Sequence, residues 1–92
     1  MRPSEWLTQH HWIRGEFYAL RDGREYACVL GAISHAAADI DTITAQTVLL
    51  STLCHQKYRK MIADVNDTEL ASKTDAVELL EEMECIYYQE GG

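Results

Sequence analysis

The sequence predicts an α+β fold that is mostly α, on three observations. The pair Asp22-Gly23 suits a tight hairpin turn, whose two central residues need positive φ, and it separates segments rich in aromatic and branched residues. CVLGAISHAAA, residues 28–38, is made largely of strong helix formers. From Ile43 onward, apolar residues recur at the i, i+3/i+4 spacing of amphipathic helices.

The elements follow in order. Pro3-Ser4-Glu5 predicts a short helix over about 5–10, with Ser4 as its cap and an acid in the first turn. WIRGEFYAL (12–20) and REYA (24–27) predict the two strands of a hairpin over about 12–27, with Tyr18 and Tyr26 paired across it. A two-stranded hairpin is marginal alone and must pack on helices. The next helix spans about 28–38, with Leu30, Ile33 and Ala37 on one face. Asp39-Ile40-Asp41-Thr42 ends it and offers caps to its successor. Leu50, Leu53, Cys54, Tyr58, Met61, Ile62 and Val65 form one stripe, which one long helix or two collinear ones would satisfy. A kink or break near Gln56, giving helices over about 43–56 and 57–65, is expected, although the periodicity alone does not demand it. Val65-Asn66-Asp67-Thr68 reads as a turn. Ser72-Lys73-Thr74-Asp75 resembles a capping box that starts a last helix over about 74–88. Its inner face is Ala76, Leu80, Met83 and Tyr87, flanked by Val77, Leu79 and Ile86. Glu78, Glu81, Glu82 and Glu84 point outward.

A chain of 92 residues predicts one globular domain, 1–92. No apolar run is long enough for a membrane span, and the first residues lack the apolar core of a secretory signal, so a cytoplasmic protein is expected. Cys28, Cys54 and Cys85 are odd in number and widely spaced, which argues against a disulfide framework and fits a reducing compartment. The net charge is −7, and residues 61–92 carry nine acids against one lysine. Such a field repels phosphate, so direct nucleic-acid binding is not expected, whereas a basic protein surface suits it.

Cys28 is placed at a helix start, where a thiolate is favoured. His35, seven residues on, is about 10 Å along the axis, too far for a base. His10, His11 or His55 would have to serve, with Asn66 or Asp67 as orienter. A buried cysteine behaving as a small hydrophobe is the simpler reading. The adjacent pairs His10-His11 and Cys54-His55 diverge on a helix, and no metal-binding spacing occurs, so neither a metal nor a cofactor is expected. Trp6 and Trp12 read as packing residues. Gly31 costs about 1 kcal/mol inside a helix, which points to close approach of another element. The acidic last helix reads most simply as a solvated face that keeps a small protein soluble, but it is the better candidate site: Glu78, Glu81 and Glu82 join charge to Tyr87 and Tyr88, aromatics of the kind enriched in interfaces.

Trp12-x-x-Gly15, then Cys28-Val29-Leu30-Gly31-Ala32-Ile33, then Asn66-Asp67 before Ala76-Val77 and Leu79-Leu80 form an order that resembles a family of small proteins of unknown function from bacteria and their phages. The pattern differs here in a shorter first helix and in Val65, where the family often has tryptophan. The resemblance implies a small intracellular accessory protein and lends no catalytic residue. The expected function is therefore non-enzymatic: binding a macromolecular partner, in the manner of a host-takeover or anti-defence inhibitor, within the host cytoplasm if phage-encoded. The alternatives are a thiol enzyme using Cys28 and a structural homodimer meeting through Leu79, Ile86 and Tyr88.

Overall fold

The computed structural model describes residues 1–91, with side chains through Gln89. Its elements are α1 (Pro3–Gln9), β1 (His11–Trp12), β2 (Tyr18–Arg21), β3 (Arg24–Ala27), α2 (Val29–Ala36), α3 (Ile40–Tyr58), α4 (Ile62–Asp64), a π-helical turn (Val65–Glu69) and α5 (Lys73–Gly91). The fold is mostly helical with one small sheet, as the sequence predicts.

Asp22 and Gly23 both take positive φ, 52° and 74°, and close the β2–β3 hairpin. The sheet has a third strand that the sequence does not announce. Its order is β1-β3-β2, with β1 parallel to β3. The segment 12–20 is therefore not one strand. After Trp12 the chain leaves the ladder, turns at Gly15 with φ +79°, and re-enters at Tyr18. Tyr18 stands opposite Ala27 and Ala19 opposite Tyr26, so the two tyrosines do not face each other. Tyr18 stacks on His35 and Tyr26 on His11.

Ser4 is not a cap. It lies inside the first turn of α1, where its amide and hydroxyl both donate to Glu84 of α5. Helix α2 is shorter than predicted, because Ala37 is already extended. Gly31 in its middle permits the approach expected of it. A Cβ there would meet the Phe17 carbonyl oxygen at 2.2 Å and the Ala27 Cβ at 2.9 Å.

Helix α3 starts earlier than residue 43, since Asp39 caps it by accepting from the Thr42 amide and hydroxyl. It runs unbroken through Gln56 and stops at Arg59, which is left-handed (φ 57°) and donates its N–H to the His55 carbonyl. The stripe therefore loses Met61, which is 75% exposed, while Ile62 and Val65 resume it on a separate element. Residues 65–68 are not a simple turn. The Leu70 N–H reaches the Val65 carbonyl at 3.1 Å, an i→i+5 bond, and the widened turn allows both Val65 and Asn66 to face inward.

The capping box of α5 forms with an offset of one residue: Ser72 Oγ accepts from the Asp75 amide, and Asp75 accepts from the Ala71 amide. Ala76, Leu79, Leu80 and Met83 are buried on α5. Two expectations fail there. Glu84 is inward, 2% exposed, and Leu79 is too buried to form an interface. One connected core joins these residues to Trp6 and Leu7 of α1, Val29, Ala32 and Ile33 of α2, Leu50, Leu53 and Cys54 of α3, and Val65. Fully burying each large aliphatic among them contributes about 1.5–3 kcal/mol.

Candidate functional site

The residues predicted for docking all belong to α5, but they divide among three places. Glu78 and Glu82 line a groove between α3 and α5 together with Glu69, Asp75, Lys57 and Tyr58, of volume about 290 Å³. Glu81 lines a neighbouring recess beside Thr8, Lys73 and Val77. Tyr87 is half-buried and meets Tyr88 edge-on at 5.0 Å, while the Arg2 guanidinium lies 4.4 Å from the Tyr88 ring centre. Tyr88 therefore packs Arg2 of the N-terminus against α5.

Within the groove, carboxylates outnumber cations. Lys57 Nζ lies 2.6 Å from Glu82, and Lys60 Nζ lies 2.6 Å from Glu69. The Glu82 hydrogen bond pushes the Lys57 ammonium up, and the Lys60 hydrogen bond holds the Glu69 carboxyl below its ordinary value. Both pairs are exposed and screened by solvent, so each contributes little and yields readily to a competing cation. Among the described residues, neither Glu78 nor Glu81 has a cationic partner.

The three motif segments meet on the far side of the π-helical turn, with Asn66 at their centre. Asn66 Oδ1 accepts from Trp12 Nε1 at 2.8 Å and from the Val29 amide at 3.2 Å. Its Nδ2 donates to the Ile13 carbonyl at 3.0 Å and to Asp67 Oδ1 at 3.2 Å. Both lone pairs and both protons are used, so this side chain is a fully satisfied buried staple. It is not free to orient a catalytic base. Asp67 Oδ1 also accepts from the Gly15 amide at 2.8 Å, and that bond comes first in holding its carboxyl below the ordinary range. Arg14 donates to the Leu70 carbonyl and lies over Trp12. The sequence offers Asn66-Asp67 only as turn formers. Their partners lie 37 to 54 positions away, and nothing local signals them.

Cys28 opens α2 and is buried beside this hub, next to Gly15, Phe17, Leu30, Ala63 and Asp67. Burial pushes its thiol up, and this outweighs the helix-start amides that pull it down. No histidine lines that recess. His10 donates from Nδ1 to the Trp6 carbonyl and presents Nε2 to Glu25 at 3.1 Å. His35 lies between Trp6 and Tyr18, and His55 is exposed on α3. The Tyr18 hydroxyl donates to Glu25, which pushes the phenol up. These groups join α1, the sheet and α2 away from the thiol. Among the described residues, no three His, Cys, Asp or Glu side chains gather as a metal site would require, and no helix is long and apolar enough to cross a membrane.

The chain matches the family of unknown function DUF6197 over residues 4–84 and belongs to that family. No curated protein and no solved structure matches it.

Proposed function

We propose that this member of DUF6197 acts by binding a protein partner with a basic surface, and not by catalysis. The partner docks on the groove between α3 and α5. One observation carries the reading: Glu78 and Asp75, which have no cationic partner among the described residues, share that groove with Glu69 and Glu82, whose lysine pairs are exposed and weak. Glu81 extends the acidic face on the same helix. The context we propose is a bacterial or phage accessory protein of the host-takeover or anti-defence kind, working in the cytoplasm. That part rests on the motif resemblance.

The test is capture from host lysate with the full chain as bait, at low and at high salt. A specific partner retained at low salt and released at high salt is expected. Reversal of Glu78, Glu81 and Glu82 to lysine should abolish capture. Unchanged capture by that variant overturns the reading.

A second reading is a homodimer, but not through Leu79. Residues 42–56 of α3 contain no Lys, Arg, Asp or Glu, and Thr44, Ala45, Val48 and Thr52 are exposed there. Two copies of a chain with net charge −7 repel unless they meet on an uncharged face. Sedimentation at micromolar concentration decides, and Val48→Glu should dissociate any dimer seen.

A further inference from the structure

The recess beside the Asn66 hub is bounded by all three motif segments. Gly15 and Phe17 come from the link after β1, Cys28 and Leu30 from the start of α2, and Ala63 and Asp67 from α4 and the π-helical turn. Its volume is about 160 Å³, below the roughly 300–1,000 Å³ of small-molecule sites. A single side chain fits that space better than a whole metabolite.

Its chemistry is two-part. The walls are apolar: Leu30, Ala63, the buried Cys28 side chain, and Phe17, which is 52% exposed. The rim also carries an anion, Asp67. Its Oδ1 is occupied by the Gly15 and Asn66 donors, whereas Oδ2 has no partner among the described residues. The other rim carboxylate, Glu16, is paired with Arg21; Arg14 is held by the Leu70 carbonyl and Trp12, and its charge is the least of the influences that hold the Asp67 carboxyl down. An apolar stem ending in a compact cation matches this arrangement. The free oxygen is single, which suits an ammonium. A guanidinium fork would need both carboxylate oxygens.

We propose that this recess is a socket for one lysine side chain of a protein partner, its methylenes against Phe17 and Leu30 and its ammonium on Asp67 Oδ2. The proposal deepens the partner-binding reading and rests on it. The π-helical turn is a wall common to both features, presenting Asp67 to the socket and Glu69 to the groove.

The experiment is an amide NMR titration of the full chain with Nα-acetyl-lysine N-methylamide, and with its arginine and norleucine counterparts. The lysine compound should shift Gly15, Cys28, Leu30 and Asp67, with millimolar affinity. The norleucine compound should bind about three- to fivefold more weakly, as expected for one exposed ion pair. Asp67→Asn should erase that difference, and Ala63→Phe should fill the socket and abolish the shifts. Equal affinity for norleucine, a preference for arginine, or shifts confined to other residues overturns the socket. The charge-reversed Glu78, Glu81 and Glu82 variant separates the two readings. Retained lysine shifts with unchanged partner capture sink the groove alone. Absent shifts in the native chain with salt-sensitive capture sink the socket alone.

Discussion

Glu84 of α5 supplies the cap that Ser4 was expected to give α1. The Ser4 amide donates to Oε2 at 2.7 Å and the Ser4 hydroxyl to Oε1 at 2.6 Å, across 80 positions of sequence. The carboxylate therefore answers an orphan amide in the first turn of α1 from another helix. Burial is the largest influence on it and raises its pKa, with the Ser4 donors opposing. A folded state with a raised carboxyl pKa holds its proton more tightly than the unfolded chain. The stability due to this group is thus fully present below the unfolded value near 4.5 and is lost as pH rises through the folded pKa. Glu84→Gln keeps both bonds, with the amide oxygen on the Ser4 N–H and the amide nitrogen donating to the hydroxyl. It should be more stable than the native chain at pH 7, and the gap should close as pH falls toward 4. Glu84→Ala should lose about 1–3 kcal/mol at pH 7, because the Ser4 donors are left buried and unpaired. Urea unfolding across pH 4 to 8 reads both.

Gly31→Ala should be strongly destabilising. The new methyl would stand 2.2 Å from a backbone oxygen, that of Phe17, which itself accepts from the Cys28 amide. Backbone cannot yield as a side chain end does, so the β1–β2 link or α2 must move. A loss of about 2–3 kcal/mol in chemical unfolding is expected, at the upper end of overpacking effects. A loss below about 0.5 kcal/mol would mean that the approach is looser than this geometry requires.

Asn66→Asp should be worse than its small change in size suggests. Nδ2 donates to the Ile13 carbonyl and to Asp67, and a carboxylate there would face two acceptors and a like charge. A cost of about 3–5 kcal/mol follows from an uncompensated buried charge. The fluorescence of Trp12, whose indole N–H bonds to Asn66, should change with it. If Asn66→Asp unfolds at the native urea concentration with Trp12 emission unchanged, the hub is not what joins the three segments.

The local features of this fold were readable in the sequence, and the long-range ones were not. The Asp22-Gly23 turn, the cost of Gly31 and the Ser72–Asp75 box each leave a signature within a few residues. Strand β1 leaves none. Two residues pairing in parallel with β3 are too short to show alternation, and apolar Ile13 made the whole segment resemble a strand. Glu84 was misplaced because a glutamate in an acidic run reads as outward, and only Ser4, brought close by the packing of α1 on α5, makes its burial tolerable. The candidate site divides in the same way. Glu78 and Glu82 are proposed from charge and position on the last helix, whereas the proposed socket depends on Asp67 meeting Gly15 across 52 positions, which leaves no local signal.

The thiols give a direct check on chemistry. Cys28 and Cys54 are buried, and burial pushes both pKa values up, that of Cys54 to about 11. Cys85 is exposed. Iodoacetamide at pH 7 should therefore label Cys85 first, with Cys28 and Cys54 slower than a free model thiol. Peptide mass spectrometry of a time course resolves the three sites. Labelling of Cys28 ahead of Cys85 would favour the thiol-enzyme alternative.

Gln46 offers a stabilising substitution. It lies one turn before Leu50 on the buried face of α3, is 1% exposed, and its Oε1 has no hydrogen-bond partner among the described residues. An unsatisfied buried amide oxygen costs about 1–3 kcal/mol, and no bond to it is lost on replacement. Methionine has nearly the same shape and adapts to irregular space. Gln46→Met should then raise stability by about 1 kcal/mol, a rise in Tm of roughly 4–8 °C for a domain of this size. Gln46→Glu should lower it by more, since the same position would then hold an unpaired charge. A fall in Tm for Gln46→Met would show that the amide is satisfied by a group that the polypeptide itself does not supply, such as a trapped water.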